Sequence, residues 1–374
     1  MKRILHVVNI YFTLPYFIGG QFKYFGEKGY KLYVACSPSE YLEDYSSKQG
    51  FDYIEIPINR SYTIIQDIKS IWSLCKYIRN NKIDIVVGHT AKGALLSMIA
   101  AWIMRVPNRI YFRHGLLYET SKGIEKMILV NIDRLTSFLS TKIVCVGSYV
   151  LQKSIEDKLS SASKLIMLGS GTCGGIDTHQ KFNPYNINTK VLSRLKEKYG
   201  LNNGDFVIGF TGRLVKDKGI VELVDAFKLV RLSKTNVKLL LVGMFEERDS
   251  LPEGIRRTII ENENIIYTGF VNENIETYYA LMSVYVLASY REGFGMGALE
   301  AQAMGVPVLT TRDTGCRDTI QPGKTGLYVE RNAEDIKNKI LMTYEGYPFN
   351  DCREWVVDNF DCRILWPEIE KLYQ

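Results

Sequence analysis

The stretch FVIGFTGRLVKDKGIVELVDAFKLVR, residues 206–231, decides the fold. Its opening run, 206–212, is short, apolar and closed by glycine, which reads as a buried strand. From 219 to 231 the apolar residues recur at helical spacing. A strand, a glycine-containing loop and a helix together open a βαβ unit, and the loop falls where such units bind ligands, beyond the carboxyl end of the strand.

Working outward, the same alternation occurs on both sides. Upstream, strands are predicted at 4–8, 31–36, 54–56, 83–88, 108–113, 142–146 and 164–168, with helical spacing between several of them, as at 64–79. Downstream, strands are predicted at 238–243, 265–269, 284–288 and 306–310. The break between the two series is the Asn-rich stretch 183–188. The fold class is therefore α/β, with two Rossmann-like domains and the chemistry expected in a cleft between them. The first domain is expected at 1–180 and the second at 181–354. A terminal helix at about 355–374 carries Trp355 and Trp366, and is expected to cross back to the first domain. A length of 374 residues accommodates two hydrophobic cores.

Composition narrows the class. With 46% hydrophobic and 24% charged residues and scattered prolines, the chain has no long disordered or collagen-like segment. Seven cysteines, widely spread and without C-x2-C spacing, point to a reducing, cytoplasmic compartment. The N-terminal residues read as a strand and not as a signal peptide, and the longest apolar run, 94–104, is too short to span a bilayer. Residues 1–180 hold 22 Lys/Arg against 14 Asp/Glu, whereas the remainder hold 25 against 27. A basic first half suits a phosphorylated acceptor or a membrane surface; lysines that merely aid solubility account for it equally well. No nucleic-acid motif is present.

Three groups of residues carry chemistry. In SYREGFGMGALEAQAMGVPVL, residues 289–309, Glu292 precedes a predicted helix start near Gly295 and Glu300 lies inside the helix. Carboxylates accept hydrogen bonds from vicinal hydroxyls, and the intervening glycines leave backbone N–H groups open to a ligand. A tight turn with a chance pair of glutamates is the plainer reading of that pair alone. Arg213 and Lys218, in the loop after 206–212, place two cations at a helix N-terminus, a setting for a diphosphate. Among the four histidines, His114 follows the strand 108–113, where a ligand-facing residue is expected. His6 reads as a core residue, His89 as structural by preference, and His179 as exposed.

These segments, with the Gly19-Gly20 loop, HTAKGALL at 89–96, RHG at 113–115, LGSGTCGGIDTHQKFNP at 168–184 and YTGFV at 267–271, resemble the family 4 retaining glycosyltransferases, particularly the bacterial branch that builds capsules, O-antigens and lipid-linked glycans. The resemblance implies that Arg213 and Lys218 bind the donor diphosphate and Glu300 the ribose. It implies that Glu292 faces the transferred sugar, helped by backbone amides of Gly293, Phe294, Gly295 and Met296. Gly269 and Phe270 then lie beside the base, Gly20 belongs to the donor set, and His114 reaches the sugar near the reacting carbon. No cofactor and no metal are expected, the donor being a nucleotide diphosphate sugar, with uridine first and guanosine next. The implied mechanism is same-face displacement with the leaving diphosphate as base. Cys316 and Asp318, in TGCRDTI, depart from the family's Gly-Gly turn and glutamate.

The acceptor, a glycan or lipid-linked glycan, is expected on the first domain. Arg113, Lys122 and Lys126 are candidates for its phosphate, and the aromatic loop 11–25 with Lys23 for contact with the inner membrane face. Half or more of the apolar residues in that loop also read as the start of a core helix. Two competing functions share the fold: a non-hydrolysing sugar-nucleotide 2-epimerase and a non-catalytic nucleotide-sugar-binding module.

Overall fold

The computed structural model describes residues 1–59, 63–172 and 174–374. The chain divides into two units, one of residues 1–175 with 363–374 and one of residues 176–362.

In the first unit the described strands are β1 Arg3–Val7, β2 Lys31–Cys36, β3 Asp52–Glu55, β4 Ile85–His89, β5 Asn108–Arg113, β6 Lys142–Cys145 and β7 Leu165–Ile166. They form one parallel sheet in the order β3-β2-β1-β4-β5-β6-β7. Its central strands are buried almost end to end, as in a parallel sheet covered on both faces by helices. The helices are α1 Gln21–Glu27, α2 Leu42–Gln49, α3 Ile64–Asn80, α4 Ala91–Ile103, α5 Gly123–Leu139 and α6 Ser148–Glu156. Helix α4 is apolar nearly all round and lies between α3 and α5, so Ala94, Leu95, Leu96, Ala100 and Ala101 are buried. Leu96, Met98, Ala100 and Ala101 pack there with Leu5, Val7 and Val86 of the sheet. Burying side chains of this kind contributes about 1.5–3 kcal/mol for each large one.

The second unit has α7 Thr189–Lys198, β8 Phe206–Thr211, α8 Ile220–Arg231, β9 Val237–Val242, α9 Glu253–Glu261, β10 Ile265–Tyr267, α10 Ile275–Tyr279, β11 Val284–Leu287, α11 Met296–Ala303, β12 Val308–Thr310, β13 Gly326–Tyr328, α12 Ala333–Tyr344 and α13 Cys352–Phe360. Its strands are also parallel, ordered β10-β9-β8-β11-β12-β13. The short strand β13 was not expected from sequence, because GLY gives only three residues of pattern.

Each sheet reverses its strand order once, between β1 and β4 in the first unit and between β8 and β11 in the second. The loops beyond the carboxyl ends of those strands are where doubly wound sheets hold ligands.

The C-terminal segment departs from expectation. One helix from about 355 was predicted; the chain instead turns at Asp361 and forms two, α13 and α14 Cys362–Tyr373. Asp361, which takes a hydrogen bond from Thr178, interrupts the helix with an extended backbone. Trp355 and Phe360 consequently belong to the second unit, and Trp366 and Tyr373 to the first. Trp366 donates to Gly174 O at 2.8 Å, and its ring packs against Tyr24.

Candidate active site

In the second unit the loop after β8 and the loop after β11 are joined through Asp217. Its carbonyl accepts from Tyr290 N (2.8 Å) and Ser289 Oγ (2.9 Å), and its carboxylate pairs with Arg291 (3.1 Å). This tie brings Lys218 Nζ to 2.5 Å from Glu292 Oε1 and 3.2 Å from Arg291 O. Arg213 stands further out, exposed, 2.5 Å from Glu246 Oε2. Helix α11 starts after Gly295, whose φ of +88° lies in the left-handed region where a side chain is strained. Gly315 donates from its backbone N to Glu292 O at 2.9 Å, and a Cβ at 315 would run into the carbonyl of Gly293. Loop 314–316 therefore backs directly onto the glutamate.

Glu300, one turn into α11, accepts from Tyr279 Oη at 2.6 Å, and that hydroxyl lies 2.7 Å from Thr211 Oγ1 at the end of β8. Burial raises the Glu300 carboxyl above the usual range, while the Tyr279 hydrogen bond and Lys181 oppose the shift. A carboxylate held from behind by a phenol keeps accepting capacity for a pair of hydroxyls.

In the first unit, His6, His89 and His114 gather at the carboxyl ends of β1, β4 and β5. His6 Nδ1 lies 3.1 Å from His89 Nε2, and His89 Nδ1 lies 3.0 Å from His114 Nε2. Burial lowers His6 and His114 to about 3. His89 is also well below the ordinary imidazole value, through burial and then its two neighbours. His114 keeps some exposure as a residue, yet its Nδ1 is buried without a hydrogen-bond partner. Phe17 stacks on its ring with centroids 4.1 Å apart.

The sequence itself decides the family. Residues 3–142 match the family model described as Glycosyl transferase 4-like, and residues 193–355 match Glycosyl transferases group 1. The capsular polysaccharide biosynthesis glycosyltransferase CapM of Staphylococcus aureus is 32% identical, over 100% of this chain and 97% of its own. The chain belongs to the group 1 glycosyltransferases.

A second relative, the UDP-Gal:alpha-D-GlcNAc-diphosphoundecaprenol alpha-1,3-galactosyltransferase of Escherichia coli, is 25% identical over 94% of this chain and 91% of its own. The fold is shared with HepE of Anabaena, solved with UDP and glucose: TM-score 0.80 at 18% identity, over 99% of each chain. The protein is a glycosyltransferase of the capsule and O-antigen type with two Rossmann-like domains of the GT-B kind.

Within this glycosyltransferase several expected positions look different at atomic detail. Arg113 is a correction: its guanidinium is fully buried, 2.7 Å from Asp133 Oδ1, 2.6 Å from Ser137 Oγ and 2.8 Å from Ser154 Oγ, and so has no surface to offer an acceptor phosphate. Lys122 and Lys126 are exposed at the start of α5. In loop 11–25, Ile18, Phe22 and Phe25 are core, while Phe12 and Tyr16 are exposed. Gly20 precedes α1 with the Trp366 ring against it. Phe294 and Met296 are buried, and Phe294 packs on Phe360. Gly269 and Phe270 follow β10, and Phe270 is exposed. Cys316 is fully buried, its thiol pushed up to about 12 by burial, and it packs under Gly295. His179 is exposed and His6 is core, as read from sequence.

Sequence reasoning missed Asp217, Tyr279, Thr211 and the partnership of His6 and His89 with His114. An acid between two lysines in VKDKG hinted at the first; the others are visible only once strands are ordered.

Proposed function

We propose that this glycosyltransferase moves a hexose or N-acetylhexosamine from a UDP-sugar to a lipid-linked glycan, with retention of anomeric configuration and without a metal. The observation that carries the reading is the Lys218–Glu292 pair at the strand-order reversal of the second sheet, with Glu300 and its Tyr279 support beside it. Arg213 and Lys218 supply the positive charge that a departing diphosphate needs. Glu292 and Glu300 supply acceptors for sugar and ribose hydroxyls, and His114 supplies a neutral imidazole for the sugar. The E. coli relative takes UDP-Gal and a diphosphoundecaprenol-linked acceptor by its name, and HepE was solved with UDP, which together support uridine and a lipid diphosphate.

The test is incubation with UDP-glucose, UDP-galactose, UDP-N-acetylglucosamine and GDP-mannose, each with a short-chain polyprenyl diphosphate sugar and with or without EDTA. Transfer from one UDP-sugar, unaffected by EDTA and giving an α-linked product by NMR, is expected. A β-linked product would end the retaining reading. Epimerised sugar nucleotide formed without acceptor would instead mark the epimerase.

The proposal includes attachment to the anionic inner face of the cytoplasmic membrane. No helix among the described residues is long and apolar enough to cross a bilayer. Ile64, Ile65, Ile68 and Trp72 of α3 and Ile124, Met127 and Ile128 of α5 are nevertheless exposed, and both helices pack against α4. Lys69, Lys76, Lys122 and Lys126 stand among them, all exposed. Apolar side chains interleaved with lysines suit an anionic lipid surface. Sedimentation with phosphatidylglycerol vesicles, absent with phosphatidylcholine and lost in Ile65→Asp/Ile68→Asp, checks this.

A further inference from the structure

His6, His89 and His114 come from three adjacent strands, β1, β4 and β5, and stand in a row with ring centroids 5.4 and 5.3 Å apart and interplanar angles of 22° and 25°. Phe17 stacks on one end of the row, and Phe112 lies flat against His89 at 5.1 Å. The phenyl rings leave the imidazoles little freedom to rotate.

A neutral imidazole has one N–H and one bare nitrogen. His89 is within hydrogen-bonding distance on both sides, at 3.1 and 3.0 Å, and so must donate to one neighbour and accept from the other. Only two proton arrangements make both bonds. In one, His6 Nδ1–H donates to His89 and His89 Nδ1–H to His114, leaving an N–H on His114 Nδ1. In the other every bond is reversed, and His114 Nδ1 is bare. Any mixture loses a bond between buried nitrogens, which is unfavourable.

We propose that His6 and His89 are positioning residues that act through His114, the row fixing as one unit the ring orientation and tautomer that His114 presents at its Nδ1. That nitrogen is the one buried without a partner, so it is the atom whose donor or acceptor character remains for a ligand. The functional half of this inference rests on the reading of His114 as the ring that meets the donor sugar. The structural half does not.

The chain has four histidines, and His179, exposed in the other unit, serves as an internal reference. The wild-type protein, labelled with 15N in histidine, is expected to show through-hydrogen-bond N–N couplings for both pairs, with one protonated nitrogen per ring in a single direction along the row. Missing couplings, or mixed tautomers at pH 7, overturn the proposal without any variant. His6→Phe is then expected to change the His114 ring nitrogen shifts and to lower kcat by at least about tenfold at little change in donor KM. His89→Phe should do the same and His89→Gln, which keeps one donor and one acceptor, should recover part of the loss. A His6→Phe protein that folds with unaltered His114 shifts and kcat makes the row a packing feature only. If the couplings are present and His114→Ala is fully active, the row stands and the sugar-facing role of His114 falls.

Discussion

Lys218 and Glu292, from loops that follow different strands, hold each other at 2.5 Å, so each charge is matched before any donor arrives. On the proposed reading, a diphosphate that takes Lys218 would also free the glutamate for a hydroxyl, so that the pair would act as a latch between the two subsites.

Lys218→Ala is expected to weaken UDP binding by roughly 1.5–3 kcal/mol, the range for a hydrogen bond to a charged group. Titration calorimetry reads this directly. Glu292→Gln should leave UDP affinity within a few-fold while lowering turnover, because the glutamate is assigned to the sugar. Equal UDP affinity in Lys218→Ala and wild type removes the lysine from the diphosphate site.

His114→Ala should lower kcat with UDP binding nearly unchanged. Comparing initial rates with a UDP thermal-shift titration separates the two effects. Full activity in this variant would make the ring structural.

Acid should destabilise the first unit in particular. His6 and His114 are held neutral, their pKa values lowered to about 3 by burial, whereas an unfolded imidazole titrates near its ordinary 6.5. The unfolded chain thus binds more protons between those values, and stability is full above pH 6.5 and is lost progressively as pH falls toward 3. At pH 5 the loss is about 2 kcal/mol per ring. Denaturant midpoints at pH 7 and pH 5 should converge in His6→Phe relative to wild type; an unchanged gap would contradict the burial argument.

Gly315→Ala forces a methyl group into the Gly293 carbonyl. Overpacking of this kind costs about 1–3 kcal/mol. Because the contact lies behind Glu292, transfer activity should fall by more than the loss of folded protein. A variant with wild-type melting temperature and rate would show that the two loops separate freely.

The alternation of strand and helix was legible along nearly the whole chain, because parallel strands buried on both faces read as unbroken apolar runs. Strand 31–36 and the start of the helix at 64 coincide with β2 and α3. What could not be read was sideways order. Lys218 beside Glu292 follows from β8 neighbouring β11, and His6 beside His89 from β1 neighbouring β4; neither adjacency has a local signal. Arg113 shows the opposite error. An arginine beside a histidine expected to face a ligand suggests the surface, but strand alternation sends successive side chains to opposite faces, and this one enters the interior to Asp133. The break at Asp361 escaped notice because residues on either side keep helical composition.

The return of α14 to the first unit has a consequence for synthesis. Tyr373 is fully buried against Phe25 and Tyr30, and Lys2 Nζ reaches the carbonyl oxygens of Tyr373 and Gln374 at 2.7 Å. A ribosome makes Phe25 and Tyr30 before the second unit, yet the hydrophobic seat they form for Tyr373 stays open until residues 363–374 have emerged, after all of that unit. The later-made half can therefore finish folding before the earlier one, and a nascent chain arrested within the second unit leaves Phe25 and Tyr30 without the Tyr373 ring, an aromatic surface for chaperones to cover.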